Sequence, residues 1–186
     1  MVQYTYVLNN PLLYVDLLGE KPLYPSEIHE AVTKKIVSQD EDQYLRERAI
    51  YVDGPFDSKM YAGKRIDIVQ PSTWSIWEVK PDSWTKDYYY KKTTSQVNSY
   101  VDLSTQRNTY IYNGENKLIK TGTLKKGDDY SFSGEFTYQN IISTFYIKYG
   151  TCSYGTHSAP KNRIENDGII YYTYTEKSRF PEYQTV

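Results

Sequence analysis

The sequence predicts a mixed α/β (α+β) fold: a helix, three antiparallel strands, a second helix and a further strand, followed by a β-rich C-terminal extension. An amphipathic run comes first, at residues 26–39. Runs rich in β-branched and aromatic residues follow it up to residue 80, and after residue 104 short Tyr- and Ile-rich runs alternate with turn sequences such as NGEN and KKGDD. With 186 residues, the chain is long enough to bury the core of one main domain.

The first helix is predicted over residues 26–39. The run opens on a serine that suits an N-cap, and its acidic residues suit the positive end of the helix dipole. Val32 and Ile36 follow His29 by three and seven residues. Because residues at this spacing share one helix face, His29 is expected to border the buried side of the helix.

Three strands are predicted between the helices, at residues 44–52, 64–70 and 73–80. The Pro71-Ser72 turn between the last two suits adjacent antiparallel strands. The second helix is predicted in the second part of residues 83–103, from Thr93 onward. Five further strands are predicted after residue 104, some of them extending the sheet and some forming a β-rich appendage.

Composition excludes several classes of protein. The chain has 22 Lys and Arg and 23 Asp and Glu residues, so a nucleic-acid site must depend on local positive charge. The single cysteine, Cys152, excludes an intrachain disulfide framework. No apolar run approaches the length of a membrane span and the N-terminus lacks a signal pattern, so we expect no membrane segment. The 22 tyrosines, including the runs at 88–90 and 171–172, are expected on half-buried sheet surfaces.

Three charged residues lie inside the second and third predicted strands. Glu78 and Lys80 are two residues apart, so their side chains project from the same face of the strand. Asp67 lies in the preceding strand, near enough in a twisted hairpin to approach the same point. Mg²⁺ (or Mn²⁺) binds carboxylate oxygens together with water and phosphate oxygens, and a neighbouring lysine offers its charge to the phosphate. The pattern therefore predicts metal-assisted hydrolysis of a phosphodiester.

Other interpretations of these residues stay open. Glu78 and Lys80 also fit a solvated charge pair on an exposed sheet face. Asp67 also fits a turn cap, or an ion-pair partner of Arg65 or Lys64. The two histidines and the single cysteine show no zinc-ligand spacing, and the sequence has no Gly-rich phosphate loop, which disfavours a zinc site and an NTPase.

The RID and WEVKP motifs and the order of the elements resemble the PD-(D/E)xK nucleases, over residues 25–103. The resemblance implies a restriction-endonuclease-like core. It further implies that Asp67 and Glu78 bind the metal ion together with the backbone carbonyl of Val79. Lys80 would be the catalytic lysine.

The helices of this family supply further candidate residues. Gln96 matches a glutamine that several branches carry on the second helix, where it orients the site or contacts substrate. The first helix often supplies another acidic or polar residue, and here His29, Glu30 and Glu27 all fit that description.

The first 19 residues resemble the end of the Rhs/YD-repeat core, which forms a β-shell upstream of a variable toxin. The matching pattern is YTYVLNNPLLYVDLLG, in which Asp16 would be a candidate self-cleavage residue, although Leu17 stands where the family has proline. The resemblance implies that residues 20–186 are a toxin payload, with its core at about 25–110 and its β-rich extension at about 104–186. It also implies delivery into the cytoplasm of a target cell and a cognate immunity protein.

Local positive charge for a nucleic acid is offered by Lys86, Lys91 and Lys92, beside tyrosines that can stack on bases. By analogy with the family, DNA is favoured over RNA as the substrate. A non-enzymatic β-rich module that binds glycans is the main alternative from another class. An ADP-ribosyltransferase would also suit an Rhs-like leader, but its residue pattern cannot be assembled from this sequence.

Overall fold

The computed structural model describes residues 25–82, 87–128, 132–143, 146–155, 167–175 and 177–179. The leader predicted at residues 1–19 and the predicted substrate-binding Lys86 lie outside the described residues.

Two helices and ten strands lie within these ranges. In chain order they are α1 (Pro25–Val37), β1 (Leu45–Asp53), β2 (Lys59–Gln70), β3 (Ser75–Pro81), α2 (Asp87–Gln106), β4 (Thr109–Tyr112), β5 (Leu118–Lys120), β6 (Lys125–Lys126), β7 (Gly134–Ser143), β8 (Tyr146–Gly155), β9 (Ile169–Tyr174) and β10 (Lys177–Arg179). The predicted α+β class is confirmed. Neither helix has the length and apolar character that a membrane crossing requires, among the residues described.

The strands form one mixed sheet in which most neighbours are antiparallel. Its order is β10-β8-β9-β3-β2-β1-β4-β5, with β6 paired to β3 and β7 paired to β8. Strands β1, β2 and β3 are consecutive and antiparallel, as the sequence predicts. β3 therefore lies inside the sheet, between β2 and β9.

Two apolar clusters hold the helices to the sheet. Ile28, Val32 and Ile36 of α1 belong to one cluster, which also contains Trp77 and Val79 of β3. Side chains of α2 belong to the other, among them the buried Val97 and Tyr100, which share it with Ile76 and Ile169. The apolar residues of α1 that the sequence predicts on one helix face are therefore the residues that it buries against the sheet.

The tyrosine run at residues 88–90 departs from its prediction. These residues lie in α2, which begins at Asp87 and not at Thr93, and they do not form a pleated surface. Tyr88 is 70% exposed, so a helix there buries little of its ring. Tyrosine is only a few tenths of a kcal/mol below the best helix formers, and the tertiary position of α2 outweighs its strand preference.

The C-terminal half of the chain contributes directly to the centre of the sheet. Strand β9 pairs parallel with β3, with Ile169 opposite Glu78. The backbone N–H of Glu78 donates to the carbonyl of Gly168 at 2.9 Å. Residues 167–172 are all buried. The β-rich segment therefore covers the edge of β3 that β2 leaves open.

Candidate functional site

The structure brings together the three charged residues singled out in the sequence. Asp67 of β2 and Glu78 of β3 are 8% and 1% exposed, and the register that pairs Ile68 with Trp77 sets the two acids side by side. The Lys80 Nζ atom donates to Glu78 Oε2 at 2.6 Å and lies 3.7 Å from Asp67 Oδ2. The Lys80 ammonium group thus forms ion pairs with two carboxylates from adjoining strands. This buried arrangement differs from a solvated pair on an exposed sheet face.

Burial determines the electrostatics of this group. Burial and the neighbouring charge of Asp67 raise the pKa of Glu78 to about 8, against the opposing effect of Lys80. Burial also raises the pKa of Asp67, but His29, Lys80 and the N–H of Val79 outweigh it, so that its pKa falls below the ordinary value. Among the described residues, no group meets hydrogen-bond geometry with the buried Glu78 Oε1 atom, although the Tyr100 hydroxyl lies close enough to Glu78 that burial and then the charge of Glu78 raise the pKa of Tyr100. Two buried acids with one unpaired oxygen form a site that favours additional positive charge.

His29 and Glu47 extend the site on the other side of Asp67. The His29 Nε2 atom lies 3.5 Å from Asp67 Oδ1 and 3.4 Å from Glu47 Oε1. Ligand atoms of these three residues lie within 4.8 Å of one another, a spacing that could hold a metal ion. Of the first-helix candidates, His29 is therefore the one that meets Asp67.

Glu47 is the site residue that sequence reasoning missed. It lies in β1 with a φ of 53°, in the left-handed region that residues other than glycine seldom adopt. Such backbone strain recurs at functional sites, because surrounding contacts must hold it in place. The available signal was the charged sequence of residues 46–48, inside a predicted strand that pairs with the strand of Asp67.

Glu30 and Gln96 each bond to a neighbouring residue of their own helix. Glu30 is 53% exposed on its side chain and pairs with Lys34 at 2.8 Å. The Gln96 Nε2 atom donates to the Tyr100 hydroxyl at 2.6 Å, and that hydroxyl donates to the carbonyl of Arg65 at 2.8 Å. Gln96 therefore orients Tyr100, which joins α2 to β2.

Of the predicted substrate-binding lysines, Lys91 and Lys92 are exposed near the start of α2.

The backbone of Val79 makes a hydrogen bond that the sequence did not predict. Its N–H donates to Asp67 Oδ2 at 2.8 Å. This bond fixes the orientation of the Asp67 carboxylate between β2 and β3.

An open cleft of about 630 Å³ borders Asp67. Its walls are formed by residues of α1, β1 and β2, namely His29, Glu30, Arg46, Glu47, Arg48, Arg65 and Asp67. Asp67 is therefore the residue that links the cleft to the buried pair of Glu78 and Lys80.

Comparison with known proteins does not assign the chain to a family. No family model, curated protein or solved structure matches it. Its function is therefore inferred from the arrangement of Asp67, Glu78, Lys80 and His29.

The stability of the metal-free protein should fall between pH 6.5 and 9. Burial lowers the pKa of His29, but hydrogen bonds to Asp67 and Glu47 outweigh it and raise the pKa to about 9. The stabilisation from protonated His29 is thus complete below its ordinary pKa of 6.5 and is lost as the pH rises through 9. The raised pKa of Glu78 acts in the same direction up to pH 8.

Urea unfolding in EDTA at several pH values measures this effect. His29→Gln should lose less stability than the wild type over that range, since only the Glu78 contribution is left. Identical pH dependence in the two proteins would show that His29 does not carry the extra proton.

Proposed function

We propose that the protein is a metal-dependent nuclease with a restriction-endonuclease-like core of the PD-(D/E)xK kind. The observation that carries the proposal is the convergence of Asp67, Glu78 and Lys80 from two adjoining strands, with all three side chains at least 85% buried. The order of α1, three antiparallel strands and α2 supports it. A buried acid pair beside a lysine has no evident structural purpose that an apolar pair would not serve better.

The residues present fit a divalent cation. Asp67 and Glu47 offer carboxylate oxygens, His29 offers an imidazole nitrogen, and Glu78 has an unpaired buried oxygen among the described residues. An imidazole in the set favours Mn²⁺ over Mg²⁺, because Mg²⁺ prefers oxygen ligands. When bound, the cation would lower the pKa of a coordinated water and offset charge on the phosphate.

The protein groups around this position have separable tasks. Asp67 is held by the N–H of Val79, so its second oxygen is directed toward His29 at 3.5 Å. Burial lowers the pKa of Lys80, but Glu78 and Asp67 outweigh it and raise the pKa above its ordinary value, so Lys80 keeps its proton. A charged Lys80 would donate a hydrogen bond to a phosphate oxygen or position the attacking water.

The Rhs-like leader suggests the setting in which such a nuclease acts. We propose that it is a toxin payload carried by an upstream shell, delivered into the cytoplasm of a target cell and neutralised by a cognate immunity protein. DNA is the preferred substrate, and RNA cleavage by the same residues is the alternative outcome of the test below.

The purified protein should cut nucleic acid only when a divalent cation is present. Plasmid DNA and total RNA are incubated with Mn²⁺, Mg²⁺ or EDTA, and we expect cleavage that is faster at low Mn²⁺ than at the same concentration of Mg²⁺ and absent in EDTA. Glu78→Ala should be inactive, whereas Lys117→Ala, an exposed lysine paired with Glu115, should match the wild type. No cleavage of either substrate with any cation would overturn the proposal and favour the non-enzymatic binding module.

A further inference from the structure

Three arginines line the cleft beside Asp67. Arg46 and Arg48 come from β1, and Arg65 comes from β2. Two of them make long ion pairs: the Arg46 Nη2 atom lies 3.8 Å from Glu30 Oε1, and the Arg65 Nη1 atom lies 3.4 Å from Glu47 Oε2. Charge-assisted hydrogen bonds are normally 2.7–2.9 Å long, so neither pair is close to its strongest geometry.

Arg48 has a buried donor for which the described part of the chain offers no acceptor. Its Nε–H group is shielded from solvent and has no hydrogen-bond partner among the described residues. Burial and the neighbouring charge of Arg46 lower the pKa of Arg48. A buried guanidinium donor without an acceptor costs free energy, and a shift of the half-buried Arg48 side chain toward an anion in the cleft would give this donor an acceptor.

The net charge of the cleft would become positive once a cation is bound. Its walls carry three arginines and three carboxylates, those of Glu30, Glu47 and Asp67. With His29 neutral as a ligand, a divalent cation would leave an excess of two positive charges. Each phosphodiester carries one negative charge, so this excess matches two successive phosphates of one strand.

We propose that Arg46, Arg48 and Arg65 bind the backbone phosphate adjacent to the one that is cut. This rests on the nuclease function proposed above, and it names the part of the substrate that the cleft recognises. The planar guanidinium group suits phosphate because it donates two parallel hydrogen bonds. Phosphate contacts position a strand without reading its bases, so this site should bind DNA and RNA alike.

The affinity for a short strand and its salt dependence test the arginine site. A fluorescently labelled 12-nucleotide DNA strand is titrated with protein in Ca²⁺, which occupies carboxylate sites, over a range of salt concentrations. Arg48→Gln should weaken binding at least about tenfold at low salt. It should also reduce the slope of log affinity against log salt by about 0.7, the value for one lost phosphate contact on a single strand.

Further variants separate the phosphate contact from a loss of folding. Arg48→Lys keeps the charge but loses the planar fork, so it should weaken binding while keeping the salt slope. Arg65→Gln changes a side chain that is 61% exposed and so tests the site where the fold is least affected. Lys117→Gln, which removes the same charge outside the cleft, should bind as the wild type does.

The outcomes distinguish this site from the nuclease function. Wild-type affinity and salt slope in both Arg48→Gln and Arg65→Gln, or no binding by the wild type, would overturn the arginine site even if the protein cuts DNA. Arginine-dependent binding by a protein that cuts neither DNA nor RNA would overturn the nuclease and leave the phosphate site standing.

Discussion

Replacing Asp67 by Asn should lower metal-dependent cleavage about a thousandfold, on the scale of losing one major electrostatic contact in a catalytic site. His29, Lys80 and the N–H of Val79 all contact Asp67. Asparagine keeps the size of the side chain and one acceptor oxygen, but it loses the charge that a cation would require. The single-turnover rate at saturating Mn²⁺ measures the loss.

A matched substitution shows whether the effect is specific to the site. Asp53→Asn makes the same chemical change at an exposed acid that pairs with Lys59. Asp53 is the last residue of β1, whereas Glu47 of the candidate site lies near the start of that strand. We expect its rate to lie within a few-fold of the wild type, and both variants should keep the circular dichroism of the wild type. Equal rates in the two variants would show that Asp67 has no part in the chemistry.

Trp77→Ala should lower the free energy of unfolding by about 3–5 kcal/mol, the usual cost of removing a large buried aromatic side chain. Trp77 is 2% exposed and packs edge-on against Tyr44 and Phe132, with ring centroids at 6.0 and 5.0 Å. Its indole N–H donates to the carbonyl of Asp128 at 2.9 Å. The substitution therefore leaves a cavity and removes the hydrogen bond that the Asp128 carbonyl accepts from the indole.

Urea unfolding monitored by circular dichroism measures the loss, with Tyr88→Ala as its control. Tyr88 is 70% exposed and contacts Tyr89, so its removal should change stability by less than about 0.5 kcal/mol. Because β3 carries Glu78, the site forms only in the folded protein, and cleavage should fall as the folded fraction falls. A stability change below 1 kcal/mol in Trp77→Ala would contradict the packing of β3 described here.

The central residues of the site could be predicted because they follow local rules. The alternation of side chains along a strand sets Glu78 and Lys80 on one face, and a short turn at Pro71 sets Asp67 beside them. These relations need no knowledge of distant contacts. The same holds for His29, which the helical spacing placed at the edge of the buried face of α1.

The parts that were missed depend on long-range pairing. Glu47 itself has a left-handed backbone near the start of β1, and no propensity predicts that conformation at a glutamate. The pairing of β9 with Glu78 joins segments far apart in the chain, and turn signals do not encode it. The predicted start of α2 was wrong because the strand preference of a tyrosine run gives way to tertiary packing.

The most direct test of the central claim is the location of manganese in crystals grown at saturating Mn²⁺, from its anomalous scattering. The account predicts an ion bonded to the Asp67 carboxylate, with Glu78, His29 or Glu47 supplying further ligands. Manganese found only at sites remote from Asp67, or none at all, would contradict it.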